Sequence, residues 1–270
     1  MVMKKVIMTT LFVLCTLTAL AQCKISNKSF QPGEKLSYDL YFNWKFVWIK
    51  CGSATYTTSA STYKNQDAIH SHLLFRTNKK FDGVFTLRDT LDGYVSTDLV
   101  PLYYNKASLE GKRHRFEEVW YSYPEGKTKV NLRYVNPDYK ELTATKVMDD
   151  CIYDMLSMFA VARTYDASTF KEGQRLRFQM TSCEKVNEQI LIYRGKEKFK
   201  ANDGHTYRCL VFTLLDDEYK KKEKELCRFY MSDDQNHIPL RIDFNLKFGT
   251  AKGFFKSAEG LKYPLTSRVK

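Results

Sequence analysis

Residues 34–42 have the sequence EKLSYDLYF, in which apolar and polar side chains alternate. The apolar set is Leu36, Tyr38, Leu40 and Phe42. Successive side chains of a β-strand point to opposite faces, so this period of two predicts a strand with one buried face. Residues 240–248 repeat the pattern, with Leu240, Ile242, Phe244, Leu246 and Phe248 in the apolar positions. The two segments predict antiparallel sheet with one solvated face.

Turn signals divide the chain between these two strands. They are Asp82-Gly83, Asp92-Gly93, Pro124-Glu125-Gly126, Asn136-Pro137-Asp138, Asn202-Asp203-Gly204 and Ser232-Asp233-Asp234. Such clusters at short intervals favour short strands joined by hairpins. Their spacing predicts roughly a dozen strands.

One segment has helical periodicity instead. Asp149 and Asp150, which are good N-capping residues, precede a stripe with helical spacing. The stripe consists of Ile152, Met155, Leu156, Phe159 and Arg163. The sequence therefore predicts one principal α-helix at about 149–165, with its apolar stripe packed on the sheet.

The N-terminus has the form of a secretory signal peptide. Lys4 and Lys5 precede an apolar stretch over residues 6–20, and Ala19-Leu20-Ala21 offers small residues for cleavage. The prediction is a signal peptide over 1–21 and a single β-rich domain over 22–270. The apolar stretch is shorter than the roughly 20 residues that span a bilayer, so the processed chain is not expected to be membrane-spanning.

Export places the protein in the periplasm, with the cell surface or a lipid anchor as alternatives. Cys23 follows Leu20-Ala21-Gln22, which resembles a lipidation box except that Gln22 stands where a small residue is needed. The bulk of Gln22 argues against lipidation.

The formal charge of the chain is +12, and the loss of Lys4 and Lys5 leaves +10. Outside the cytoplasm such a charge favours anionic lipid headgroups or acidic glycans as partners, and not nucleic acid. The candidates for contact with an anionic surface are Lys220, Lys221, Lys222 and Lys224. The alternative interpretation is a solvated hairpin tip.

Six of the seven cysteines follow the signal peptide. An even number in an exported chain permits up to three disulfides, although free buried thiols are the alternative. Cys209 and Cys227 each lie nine residues from Glu218, so a hairpin centred there would place them opposite one another. This spacing makes them a disulfide candidate.

Sequence motifs for catalysis are lacking. The chain has no Gly-x-Ser-x-Gly, His-Glu-x-x-His or glycine-rich phosphate loop. Only His70 and His72 have ligand-like spacing, since alternate strand residues share a face, and no third ligand is identified. We therefore expect no enzyme activity and no metal or other cofactor, with His70 and His72 as weak metal candidates.

Three motifs, in order, resemble the exported bacterial family catalogued as domain of unknown function 3108. They are Phe30-Gln31-Pro32-Gly33-Glu34-Lys35-Leu36-Ser37-Tyr38 followed by Cys51-Gly52-Ser53-Ala54, Asp154 to Phe159 with Arg163 and Phe170-Lys171-Glu172-Gly173, and Met231-Ser232-Asp233-Asp234 through Ile238-Pro239-Leu240-Arg241-Ile242 to Phe248-Gly249-Thr250. The resemblance implies a mainly β fold, a strongly curved antiparallel sheet or half-open barrel with one principal α-helix. It implies no established activity and carries over no catalytic residue.

Two functions follow as expectations. The first, which the sequence favours, is a non-catalytic envelope protein that holds a lipid-like or amphipathic ligand in its curved sheet. The aromatic and methionine candidates for that lining are Trp44, Phe46, Trp48, Met155 and Phe159, all of which can equally be core residues. The second is an interaction module for an envelope protein or a glycan, which an aromatic stripe exposed to solvent would favour. The sequence does not indicate an oligomeric state.

Overall fold

The structure is a computed structural model that describes residues 23–44, 47–81, 86–215, 224–246 and 249–269. The predicted signal peptide, Phe46, and Lys220, Lys221 and Lys222 lie outside the described residues. Within these ranges, no helix combines the length and the apolar character needed to cross a bilayer.

Sixteen strands and one α-helix lie within the described part of the chain. The strands are β1 (Lys35–Trp44), β2 (Val47–Tyr63), β3 (Gln66–Thr77), β4 (Leu87–Ser96), β5 (Pro101–Glu110), β6 (Arg113–Ser122), β7 (Thr128–Val135), β8 (Glu141–Met148), β9 (Ile152–Tyr153), β10 (Arg175–Ser182), β11 (Lys185–Lys200), β12 (Thr206–Leu215), β13 (Glu225–Ser232), β14 (Pro239–Leu246), β15 (Gly249–Glu259) and β16 (Arg268–Val269), and the helix is α1 (Met155–Ala162).

The strands form one continuous sheet that is nearly closed into a barrel. Its order is β8-β7-β6-β5-β4-β3-β2-β1-β15-β14-β13-β12-β11-β10-β9, with β16 paired to β12 outside this path. All pairs are antiparallel except β9 with β10, and one seam, between β8 and β9, is not closed by strand pairing. The predicted mainly β fold with a strongly curved sheet and one principal helix is confirmed.

The helix α1 is shorter than predicted and begins later. Asp154 caps it, because its carboxylate accepts hydrogen bonds from the backbone N–H groups of Leu156 and Ser157 at 2.9 Å each. The Ser157 hydroxyl accepts in return from the Asp154 N–H, which completes a capping box. The preceding residues, Ile152–Tyr153, form β9 and pair with β10. Asp149 and Asp150 therefore lie before a strand and do not cap the helix.

Gly93 explains how α1 packs against the sheet. The Asp92-Gly93 pair was expected to form a turn, but it lies in the middle of β4. A Cβ atom at Gly93 would lie 3.1 Å from Cβ and Cδ1 of Leu156. The missing side chain therefore permits the close approach of α1, which is a use of strand glycine distinct from turn formation.

A buried ion pair joins the end of α1 to the start of β1. The guanidinium of Arg163 donates to both Glu34 carboxylate oxygens, at 2.5 and 2.8 Å, and also to the Asn236 carbonyl. The guanidinium carbon lies 4.9 Å from the Phe30 ring centre and 5.7 Å from that of Phe159. Burial lowers the pKa of Arg163, but the bonds to Glu34 offset this and hold it above its ordinary value.

A disulfide joins Cys23 to Cys151, across 128 residues of sequence. The predicted pairing of Cys209 with Cys227 is wrong, and both thiols are free. The ladder between β12 and β13 places Cys209 opposite Ser232 and Cys227 opposite Leu214. The register of β12 and β13 is therefore shifted by five residues from the one that would place the two cysteines opposite one another, which separates them along the strands.

Hydrogen bonds link β6, two strands in from the open edge, to the elements on the other side of the seam. The Tyr121 hydroxyl on β6 donates to the Asp154 carboxylate at 3.1 Å. The backbone N–H of Cys183, in the turn after β10, donates to the Glu117 carboxylate on β6 at 3.4 Å. Since Cys151 lies between β8 and β9, its disulfide also ties the N-terminal segment to this seam.

We predict that the Cys23→Ser/Cys151→Ser double variant lowers the free energy of unfolding by roughly 2–5 kcal/mol, because the crosslink restricts the unfolded chain. Denaturant unfolding measures the change. Peptide mapping without reductant should show Cys23 linked to Cys151 and Cys209 and Cys227 unlinked. Linkage of the latter two, or an unchanged midpoint in the double variant, would contradict the prediction.

We predict that Arg163→Met lowers the free energy of unfolding by about 3–5 kcal/mol, since it leaves the Glu34 carboxylate buried without its partner. The control is Arg177→Met. Arg177 bonds Glu188 at the same 2.5 Å, but its side chain is 54% exposed, so the expected loss there is at most about 1 kcal/mol. Urea unfolding measures both variants. If Arg163→Met and Arg177→Met lose the same free energy of unfolding, burial of the ion pair does not explain the loss in Arg163→Met.

Candidate functional site

The sequence-predicted ligand residues occupy separate parts of the structure. Trp48 lies on β2 and is 41% exposed, with the Lys252 ammonium 4.3 Å from its ring centre. Met155 is 42% exposed at the start of α1, whereas the Phe159 ring packs edge-on against Tyr56 at 5.0 Å. Among the described contacts, none joins Trp48 to either residue of α1.

The Trp44 side chain lies outside what the structure describes, and Lys224 is exposed just before β13.

A different set of side chains comes together on the outer face, by which we mean the side of β2–β8 that is turned away from the core. Leu91 and Val119 are each 1% exposed and point to the core. Because neighbouring residues on a strand point oppositely, Asp92 and Trp120 point outward. Register then aligns outward residues of consecutive strands into two adjacent rows.

The first row, which we call the aromatic row, crosses five strands. It consists of Tyr63, His70, Tyr94, Tyr103 and Trp120. Strand register pairs His70 with Tyr94, Tyr94 with Tyr103 and Tyr103 with Trp120. Ring centres of neighbours lie 4.6 to 6.2 Å apart, and all five side chains are half-buried. The rings form a continuous surface patch outside the core.

The second row, the polar row, runs beside the first and is also set by register. It consists of His72, Asp92, Asn105, Glu118 and Arg133. Arg133 donates to Glu118 at 2.9 Å and also to Glu141 on β8, and these carboxylates raise its pKa. The two rows thus place hydrogen-bonding groups along the edge of the ring patch.

Tyr103 connects the two rows. Its hydroxyl donates to Glu118 at 2.7 Å and accepts from the Asn105 amide at 3.4 Å. Burial, together with the bond to Glu118, raises the pKa of Tyr103 to about 12, so the phenol stays protonated and acts as a donor near neutral pH. Burial and the Asp92 carboxylate likewise raise the pKa of Tyr94.

Two shallow grooves continue the outer face beyond the rows. One, of about 470 Å³, is lined by Leu109, Phe116 and Val135 together with Arg88 and Arg133. The other, of about 550 Å³, is lined by Trp120, Asn131 and Arg133 and by threonines of β8. Arg133 lines both grooves, and Trp120 belongs to both the aromatic row and the second groove. A ligand lying along β4–β8 therefore meets rings, charges and apolar surface in one stretch.

One group of side chains on this face has the composition of a metal site. Nε2 of His70 and Nδ1 of His72 each lie 2.8 Å from Oδ1 of Asp92. The three potential ligand atoms lie within 4.8 Å of one another, and all three residues are half-buried. The histidine pair was found from its spacing, but Asp92 was missed as the third member, because Asp92-Gly93 suggested a turn.

The aromatic row was also missed by sequence reasoning. Its members come from five strands, and only strand register brings them together. The available signal was the alternation within each strand, in which Tyr94, Tyr103 and Trp120 stand next to core residues Val95, Tyr104 and Val119. Distinguishing Tyr103 from Tyr104 as the outward member requires the structure.

Two solved structures are similar to this chain, and the first of them supports the fold. A crystal structure of a beta-barrel-like protein of domain of unknown function DUF1849 from Brucella abortus is similar with a TM-score of 0.58 and 10% identity, over 87% of this chain and 100% of that chain. A Bacteroides fragilis protein with a YmcC-like fold gives a TM-score of 0.36 and 11% identity, over 88% of this chain and 100% of that chain. Likeness at such identity concerns the fold alone.

Sequence comparison assigns the family. Among curated proteins, none matches the chain. The model of the family described as Protein of unknown function (DUF3108) matches residues 37–256. These residues include most of β1, all of α1 and nearly all of the barrel sheet, and they make up well over half of the chain. The chain therefore belongs to the DUF3108 family.

Proposed function

We propose that this protein is an exported, non-catalytic binding protein of the cell envelope, and that it holds an envelope glycan on its outer face. The observation that carries the proposal is the aromatic row with the polar row beside it. Of the two functions expected from the sequence, this arrangement favours the interaction module. The glycan is the partner whose chemistry fits both rows.

The aromatic row supplies half-buried ring surface at low entropic cost. A tyrosine or tryptophan ring buries a large area while losing the freedom of only two side-chain torsions. The C–H faces of pyranose rings are apolar and of similar size, so successive sugars can lie on successive rings. Neighbouring strands in a sheet are about 4.8 Å apart, which spaces the rings of Tyr94, Tyr103 and Trp120 regularly across the face.

The polar row supplies the hydrogen bonds that sugar hydroxyls need. Asn105 offers an amide, Glu118 a carboxylate and Arg133 a guanidinium, all on the same face as the rings. Arg133 and Glu118 are already bonded to one another, so their side chains are held in place before a ligand arrives. The overall positive charge of the chain also suits an acidic glycan.

The periplasm is the proposed location. A disulfide between Cys23 and Cys151 is consistent with an oxidising compartment. The same bond occupies the Cys23 sulfur atom, which lipidation would require as a thioether. A disulfide and a lipid at Cys23 exclude one another, which favours a processed protein without a lipid on that residue.

We predict that Tyr103→Ala and Trp120→Ala each weaken binding of a bacterial polysaccharide roughly 3- to 10-fold, because each removes a stacking contact worth ~0.5–1.5 kcal/mol. A glycan array of bacterial surface polysaccharides identifies the probe. Titration of a retained polysaccharide by calorimetry then gives the affinities.

Trp48→Ala is the matched control, since Trp48 is a surface tryptophan outside the aromatic row. It should bind the polysaccharide like the wild type. Retention of no glycan by the wild-type protein would contradict the proposal. An equal loss of affinity in Trp48→Ala would also contradict it.

A second candidate function follows from the grooves, and it is the binding of a lipid-like or amphipathic ligand. The groove of about 470 Å³ combines the apolar Leu109, Phe116 and Val135 with the guanidinium groups of Arg88 and Arg133. This volume is within the range of small-molecule sites. An acyl chain with an acidic headgroup would match such a lining.

This candidate predicts that palmitate binds to the wild-type protein and that Phe116→Ser weakens its binding about 10-fold, because the apolar floor of the groove is lost. Native mass spectrometry with added palmitate measures the bound fraction. Val147→Ser is the control, since Val147 is a surface valine of β8 that is 52% exposed and does not line either groove. An unchanged bound fraction in Phe116→Ser would exclude the groove as the palmitate site.

A further inference from the structure

We infer that His70, His72 and Asp92 form a binding site for a divalent transition metal ion, with Zn²⁺ as the ion that fits it. The inference is independent of glycan or lipid binding. It concerns the junction of β3 and β4, where the aromatic row and the polar row meet.

The three side chains converge on one point. Nε2 of His70 and Nδ1 of His72 are both 2.8 Å from the same carboxylate oxygen, Oδ1 of Asp92. One carboxylate oxygen has two lone-pair sites, so Oδ1 can accept from both imidazoles, and the same arrangement brings both ring nitrogens next to a potential oxygen ligand. Convergence of two imidazole nitrogens and a carboxylate oxygen is what a metal centre requires.

The distances leave room for an ion after a small adjustment. In a tetrahedral zinc site the ligand atoms lie about 2.0–2.2 Å from the ion, which places them about 3.3 Å from one another. Each nitrogen therefore needs to move about 0.5 Å away from Oδ1. The three atoms lie within 4.8 Å of one another, and rotation of the imidazole rings on these half-buried side chains can bring the two nitrogens closer together.

The backbone and a neighbouring ring hold the ligands in position. His70 and His72 alternate on β3, and Asp92 lies directly opposite His72 on β4. Both strands are paired on their two sides, so the register of these residues is fixed by ladders in the middle of the sheet. The His70 ring also stacks on Tyr94, with ring centres 4.6 Å apart and an angle of 19°. Such support lowers the cost of ordering the ligands on binding.

The ligand set selects the kind of ion. Two imidazoles and one carboxylate are typical ligands of zinc and of other first-row transition metals, whereas calcium and magnesium prefer oxygen ligands throughout. Three protein ligands leave a fourth position, which solvent or a ligand group on the outer face can occupy. Half-burial of the three residues makes that position accessible from outside.

The test uses the full chain without a histidine tag, stripped with a chelator and then titrated with Zn²⁺ by calorimetry. We expect one Zn²⁺ per chain, with Kd on the order of 10 µM because the site has only three ligands and is open to solvent. Asp92→Asn and His72→Gln should each weaken binding at least about 10-fold. His72→Gln retains a hydrogen-bond donor for Asp92 while removing the imidazole, which separates metal ligation from simple hydrogen bonding.

His114→Ala is the matched control, because His114 is an exposed histidine on β6 that does not belong to the group. It should bind Zn²⁺ like the wild type. Titration with Co²⁺ gives a second readout, since coordination by these side chains produces visible absorption bands that Asp92→Asn should lose. The absence of stoichiometric Zn²⁺ binding by the wild type would overturn the inference, and so would equal weakening in His114→Ala and His72→Gln.

Discussion

The buried pair of Arg163 and Glu34 is the interaction on which the arrangement of the structure depends. Both side chains are fully shielded from solvent, which costs several kcal/mol for each charge unless partners replace the lost water. On the Arg163 side all three nitrogens donate, with two bonds to Glu34 and two to the Asn236 carbonyl, and the rings of Phe30 and Phe159 lie close to the guanidinium. The pair has a single geometry that satisfies it, and that geometry fixes where α1 ends relative to β1.

The same pair lies where three motifs that are distant in sequence meet in the folded chain. Glu34 belongs to the first of the motifs by which the chain resembles its family, Arg163 to the second, and Asn236 lies inside the third. The carbonyl of Arg163 also accepts hydrogen bonds from Ser29 and His237. In the folded chain the three motifs thus meet around one guanidinium. A charged residue at the end of an apolar helical stripe was the sequence signal for this contact, but the sequence did not identify its partner.

Local patterns were sufficient to predict the fold class, because strand alternation and helical spacing depend only on neighbouring residues. The strand predicted from residues 34–42 is β1, and the predicted helix is α1 with an overestimated length. Register was not predictable in this way, and the Cys209–Cys227 error came from a register of β12 and β13 that differs from the expected one by five residues. The outer face depends on register across six strands. For this reason the sequence showed the histidine pair, which is local to β3, and did not show Asp92 or the aromatic row.

The open seam has a consequence for how this architecture can vary. In a barrel closed by hydrogen-bond ladders, strand number, tilt and diameter are linked, so that inserting or removing a strand requires the whole cylinder to be rebuilt. Here β8 and β9 are not paired; Tyr121 and Glu117 of β6 instead contact Asp154 and Cys183 on the other side of the seam, and the Cys23–Cys151 disulfide ties the N-terminal segment to the link between β8 and β9. Side chains of different length can span such a gap at different widths. Proteins with this fold can therefore differ in barrel circumference at the seam while the Arg163–Glu34 pair at the end of α1 stays unchanged.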